Sequence, residues 1–192
     1  MTVVEENIFS GNVAAPVTWD DAAEKCINEI YADRHPDQIF TKLSWMRSYL
    51  DDMIEMSQDN EFGISNELFS EHWMSLGVAA RNTANKLGYL NFSKGPSSAT
   101  AELVELLVRK QNDYGHDNIS RFGRIGLLVR VHDKIARLEN LAARDAAPKN
   151  ESIRDNYMDV INYCALGMMV EMGWFMLKLK PPVAEDKMEE NK

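Results

Sequence analysis

The feature that most constrains this chain is the spacing of its apolar residues, which recur every three or four positions from about residue 17 to residue 180. That is the period of a helix packed on one side, and the alternation that a half-buried strand needs is missing. Thr18 can cap a first helix with Asp21 at its third position, and Ala22, Ala23, Cys26, Ile27 and Ile30 follow on one face. Asp37 opens a second, with Phe40, Leu43, Met46, Leu50, Met53 and Ile54 on a stripe ending near Ser57. A third runs from about Ser65 to Leu87, where Gly88 stops it. Ser97 or Ser98 caps a fourth, through Lys110, and a polar turn from Gln111 to Asn118 leads to a long helix from about Ile119 to Arg144. Ala147 to Asn150 break the chain, and Asn150 caps a last helix to about Leu179. The pattern predicts an all-α protein, a helical bundle with an N-terminal helical extension.

Residues 91–98, with Lys94-Gly95-Pro96, interrupt the helical period and mark a lobe boundary. The expected organisation is a flexible tail over 1–16, an N-terminal helical lobe over 17–90, a second helical domain over 98–180 and a flexible tail over 181–192. With 192 residues the chain can bury a sizeable core.

Thirty Asp and Glu outnumber 21 Lys and Arg, for a net charge of −9. That balance speaks against a general binder of phosphate backbones, and no nucleic-acid duplex is an expected partner. Residues 1–100 carry 7 basic and 15 acidic side chains, whereas residues 101–180 carry 12 and 11. The acidic N-terminal lobe is therefore a candidate surface for a protein partner. Cys26 and Cys164 lack CxxC or ligand-type spacing, so neither a zinc site nor a disulfide framework is expected, and a reducing cytoplasm fits. The most apolar stretch, residues 163–177, is short and contains Glu171, and the N-terminus lacks the basic start of a signal peptide. The expectation is a cytoplasmic protein without a membrane segment.

Chemistry concentrates in residues 102–163. Glu151, Asp155, Asp159 and Asn162 share one helix face, opposite a stripe of Ile153, Tyr157, Val160, Ile161, Cys164, Met168, Met172 and Phe175. Such a row is either a solvated face or a set of oxygen ligands for Mg²⁺ or Mn²⁺. Its continuation into Leu166, Met169 and Gly173 argues for packing over water. On the preceding helix Arg130, Asp133, Lys134 and Arg137 share a sector, either as intrahelical ion pairs or as a phosphate clamp in which Asp133 adds a carboxylate. The turn holding Lys110, Asp113, Tyr114, Gly115 and Asn118 is rich in groups able to bond a base, a sugar or a metal. Gly115 and Asn118 are equally explained as a helix stop and the next cap. Glu102 and Glu105 are second-rank metal ligands, because Glu105 can pair with Arg109.

In order, the chain reads Lys110-x-x-Asp113-Tyr114-Gly115, Asn118, Phe122-Gly123-x-x-Gly126, Arg130-x-x-Asp133-Lys134-x-x-Arg137-Leu138-x-Asn140-Leu141 and Glu151-x-x-x-Asp155-x-x-x-Asp159-x-x-Asn162-Tyr163. This run resembles the nucleotide modification associated domain 1 family, a mostly phage-borne group, over about residues 101–170. More distantly it resembles the all-α nucleotide pyrophosphohydrolases of the MazG type. The resemblance implies a bundle whose acidic helix faces hold Mg²⁺ against a nucleoside triphosphate, with a metal-activated water cleaving between the α and β phosphates. It implies Glu151 and Asp155 as metal ligands, with Asp159 as a third ligand or an orienter. Arg130, Lys134 and Arg137 would meet phosphates, and Lys110, Asp113, Tyr114 and Asn118 would lie near the sugar or base. One departure stands out: MazG-type enzymes pair an ExxE helix with an ExxD helix, whereas Glu151 and Asp155 are four residues apart.

The leading expectation is a Mg²⁺-dependent nucleotide-processing enzyme, a nucleoside triphosphate pyrophosphohydrolase of modified-base or nucleotide-pool metabolism. In it Asp133 joins Glu151 and Asp155 at the metal, and Asp159 serves as general base. The alternative is a non-catalytic, phage-encoded helical protein that sequesters a nucleotide or blocks a host protein. Its ligand is a nucleotide or deoxynucleotide, its place the cytoplasm, the host's if phage-encoded, and a homodimer would complete the core of such apolar helices.

Overall fold

A computed structural model describes residues 14–32, 41–58, 64–90, 96–144 and 151–181. Among these residues there are seven helices and no strand: α1 (Trp19–Ile30), α2 (Leu43–Gln58), α3 (Asn66–Lys86), α4 (Pro96–Tyr114), α5 (Asp117–Ser120), α6 (Gly123–Arg144) and α7 (Ile153–Glu171). The protein is all-α, as its apolar period requires. The start expected at Asp37, the cap expected at Asn150 and nearly all of the two tails lie outside the described residues.

Local chemistry sets several boundaries. Thr18 and Asp21 form a reciprocal capping box, and Ser65 caps α3 by accepting the Leu68 N–H at 3.2 Å. Gly88 follows α3 at φ 77° and Gly115 follows α4 at φ 68°, left-handed conformations that a side chain would oppose. Other boundaries differ from expectation. Helix α4 begins at Pro96, ahead of Ser97 and Ser98, because proline's fixed φ and missing N–H suit a first helical turn. It then continues through Gln111–Tyr114, the expected turn. The long helix expected from Ile119 is two helices, broken where Gly123 takes φ 50°. Helix α7 starts after the Ser152 cap and ends at Glu171, ahead of Gly173 at φ 70°, so residues 172–181 fold back as a strap. The Lys178 carbonyl accepts the Trp19 N–H at 2.8 Å, and Phe175 packs edge-on to Trp19.

Helix α7 is the axis of the molecule. Every residue from Asn156 to Met169 is buried except the half-buried Tyr163, because α1, α3 and α6 surround it. The close approach of α3 to α7 depends on glycine: a Cβ on Gly167 would overlap the Trp73 indole, and one on Gly77 would come within 3.3 Å of the Cys164 Cβ. Trp19, Ile27, Trp73, Leu76, Leu127, Ile135, Tyr157 and Ile161 belong to one continuous core. Residues 17–90 and 98–180 therefore share their interior. At about 1.5–3 kcal/mol per fully buried large apolar side chain, this shared core dominates the stabilisation. Arg124 adds a satellite, stacking 3.4 Å from the Phe69 ring centroid and pairing with the buried Glu171.

Candidate functional site: a cationic, amide-lined cavity

Extending α4 to Tyr114 places Leu107, Lys110, Gln111 and Tyr114 at i, i+3, i+4 and i+7, on one helix face. Asp159, Asn162, Tyr163 and Leu166 have the same spacing on α7. With Asn118 and Ile119 of α5 and Arg130 of α6, these residues line a cavity of about 320 Å³.

Its electrostatic centre is Asp159, whose side chain is 8% exposed. Oδ1 accepts a hydrogen bond from Lys110 Nζ at 2.6 Å, and Oδ2 pairs with Lys134 Nζ at 2.8 Å. Burial alone would push the Asp159 carboxyl up, but the bonds from Lys110 and Lys134 outweigh it and hold the group below its ordinary value. Lys134 is raised: burial works against its charge, and Asp159 and Glu151 more than compensate. Glu151 accepts from Lys134 at 2.7 and 2.9 Å and from Arg137 at 3.1 Å, and its backbone carbonyl takes a second Arg137 bond at 2.7 Å. In this connected set, with Arg130, four cations face two carboxylates. The surplus of two positive charges sits within a chain of net charge −9.

Two wall residues carry unmet hydrogen-bonding capacity. Asn162 is 2% exposed and Gln111 is 6% exposed. Both polar atoms of the Asn162 carboxamide and the Gln111 amide nitrogen are buried without a partner. Orphaned groups of this kind are uncommon in folded proteins and each carries a desolvation cost. Burial also pushes the Tyr163 hydroxyl up, which keeps it neutral beside Asp159.

Of the residues singled out by sequence, the structure brings Lys110, Tyr114, Asn118, Arg130 and Asp159 to the cavity. Lys134 and Arg137 stand in the ion cluster adjoining it. Asp113 does not join them: it lies on the other side of α4, lining an open groove against α1 together with Glu105. Glu102 is exposed and bonds Arg154 at 2.6 Å. The expected metal ligands Glu151, Asp155 and Asp133 do not converge. Asp155 is exposed and closes the capping box at the start of α7, its Oδ2 accepting from the Ser152 hydroxyl at 2.7 Å and the Ser152 N–H at 3.2 Å. Asp133 is exposed on α6, and Glu151 is neutralised by Lys134 and Arg137. Among the described residues no group of three or more His, Cys, Asp or Glu side chains could hold a metal ion. The donor set therefore does not fit Mg²⁺, since the carboxylates nearest the cavity are already matched to ammonium and guanidinium groups. Asp159 is likewise poorly placed as a base, because both of its oxygens are engaged by ammonium groups.

Gln111, Leu107, Ile119, Tyr163 and Leu166 were not expected at a site. The i, i+3, i+4, i+7 spacing would have found the α4 residues had Gln111–Tyr114 been read as helix. Asn162 was on the acidic row without a role.

Fold and cavity together define an all-helical domain with a small, cation-rich, amide-lined pocket. Residues 110–170, just under a third of the chain, match the family model described as nucleotide modification associated domain 1. That span contains every residue lining the cavity except Leu107. No curated protein and no solved structure matches the chain. Among the described residues, no helix is long and apolar enough to cross a membrane.

Proposed function

We propose that this protein binds a nucleotide in the cavity between α4 and α7 and acts in nucleotide modification. The observation that carries the reading is the pairing of unpartnered buried carboxamides, Asn162 and Gln111, with cationic side chains on the same wall. Carboxamides recognise base edges, and cations meet phosphate. Arg130 uses Nη2 on the Asn118 side chain at 2.8 Å and on its carbonyl at 3.3 Å, which leaves its other N–H groups for a phosphate. The half-buried Tyr163 and the exposed Tyr114 offer flat faces for stacking. The description of the matched family supports the same ligand class.

Titration calorimetry with nucleosides, monophosphates and triphosphates tests this. Phosphorylated forms should bind more tightly than nucleosides, with an affinity that falls as salt rises. Arg130→Gln should weaken the phosphorylated ligands selectively. Folded protein that binds none of them would refute the reading. The same mixtures, assayed for pyrophosphate and phosphate release with and without Mg²⁺, decide between a binding protein and the pyrophosphohydrolase expected from sequence.

A further inference from the structure

The cations around the cavity differ in what they have left to offer a ligand. Lys134 has three N–H groups; Glu151 accepts from it at 2.7 and 2.9 Å, and Asp159 pairs with it at 2.8 Å. Arg137 is tied to the Glu151 carboxylate at 3.1 Å and to its backbone carbonyl at 2.7 Å. Lys134 and Arg137 with Asp159 and Glu151 thus form a neutral set. Lys110 and Arg130 remain, and both line the cavity. Lys110 donates to Asp159 alone and its side chain is 38% exposed, while Arg130 uses Nη2 on Asn118 and keeps Nε and Nη1. The cavity therefore presents two unmatched positive charges, with two N–H groups free on the ammonium and three on the guanidinium.

We infer that the cavity takes a nucleoside monophosphate, held without a metal ion, in preference to a triphosphate; this rests on the nucleotide reading above. A phosphate monoester carries about 1.5–2 negative charges at pH 7, which Lys110 and Arg130 together balance. The added charge of a longer chain finds no such answer. Its outer phosphates reach Lys134 and Arg137 only by displacing Glu151 from both, which leaves that carboxylate unmatched beside phosphate oxygens. In many triphosphate sites Mg²⁺ offsets this charge, held by one or two protein carboxylates. Here the carboxylates nearest the cavity, Asp159 and Glu151, are engaged by Lys110, Lys134 and Arg137, and among the described residues no acidic or histidine cluster suits an ion. One phosphate group is what the uncommitted donors can serve.

The test is calorimetric titration of the full chain, in EDTA, with the mono- and triphosphates of one purine and one pyrimidine deoxynucleoside. For whichever base binds more tightly, the monophosphate should bind about threefold or more tighter than the triphosphate, and Mg²⁺ in place of EDTA should change its affinity by less than about threefold. Glu151→Gln, which releases Lys134 and Arg137, should shift the ratio toward the triphosphate by about fivefold or more, with circular dichroism showing an unchanged helical fold. Arg137→Gln should leave monophosphate affinity within about threefold, whereas Arg130→Gln should cut it about tenfold or more. A smaller preference, a larger response to Mg²⁺, a smaller shift in folded Glu151→Gln, or equal losses in the two arginine variants would overturn the inference and leave nucleotide binding standing. Absence of binding by every nucleotide would overturn the nucleotide reading, and this inference with it.

Discussion

Replacing Asn162 with Leu should make the ligand-free protein more stable, an unusual outcome for a polar residue on the central helix. Asn162 is 2% exposed and neither of its side-chain polar atoms has a partner. A buried unsatisfied group costs about 1–3 kcal/mol, whereas an apolar side chain of similar shape carries no such penalty. Leucine is bulkier than asparagine, and its added volume can extend into the cavity that Asn162 lines. Allowing some overpacking, the net gain is about 1–3 kcal/mol. For a chain of this length each kcal/mol moves the thermal midpoint by about 2–4 °C, so the expected rise is about 2–12 °C. Asn156 on the same helix is the comparison: it is fully buried and its Oδ1 also lacks a partner, but its Nδ2 donates to the Ser152 carbonyl at 2.7 Å. Asn156→Leu should lower the midpoint, since it deletes that bond and forces a bulkier side chain into a fully buried position. Differential scanning calorimetry of the three proteins reads both shifts. A fall for Asn162→Leu matching that of Asn156→Leu would mean that the Asn162 amide is satisfied within the fold, and the case for a ligand-facing carboxamide would be lost.

Asp155→Ala should cost about 0.5–2 kcal/mol in urea denaturation through loss of the α7 cap, and leave nucleotide affinity unchanged; an affinity loss would restore the metal assignment. Gly167→Ala should destabilise by about 1–3 kcal/mol or more, because a Cβ meets the Trp73 ring rather than a flexible side-chain end; a wild-type urea midpoint would contradict the packing of α3 on α7. The Asp159 carboxyl is lowered on folding from its ordinary 3.8, so its stabilisation is present above that value and is lost as pH falls through the lower folded value. Lys134 is raised from 10.5, so its stabilisation is present below that value and is lost as pH rises through the higher folded value. Urea midpoints measured against pH should therefore keep both contributions between the two limits, and Asp159→Asn should flatten the acid limb; an unchanged limb would show that Asp159 is not the group responsible.

What the sequence made legible was local. Thr18 with Asp21, the Ser65 cap and the left-handed glycines at 88 and 115 are each decided within a few residues, and all four stand where their chemistry puts them. Gln111–Tyr114 was not legible because polar residues at a helix end resemble a loop; which of them are buried depends on α7, nearly fifty residues away. The role of Asp155 follows from an equally local rule. Ser152-x-x-Asp155 is the same capping pattern as Thr18-x-x-Asp21, and a carboxylate that closes a box has its oxygens turned back to its own backbone. Even spacing along a helix put Glu151, Asp155 and Asp159 in line, yet spacing along one helix says nothing about which cations approach from others.

Those cations explain how one carboxylate of the acidic row, Asp159, is buried on the central helix. Asp159 joins Lys110 of α4 to Lys134 of α6, so a single buried carboxylate from α7 pins three helices around the cavity. Without it two ammonium groups would repel one another there and swing to solvent, to which their side chains are already 38% and 20% exposed. Because Lys134 also answers to Glu151, the arrangement keeps a positive surplus in place before any ligand arrives. An anion can then bind without first reorganising the wall, which reduces the ordering cost of association. Asp159 thus positions the cations beside the cavity.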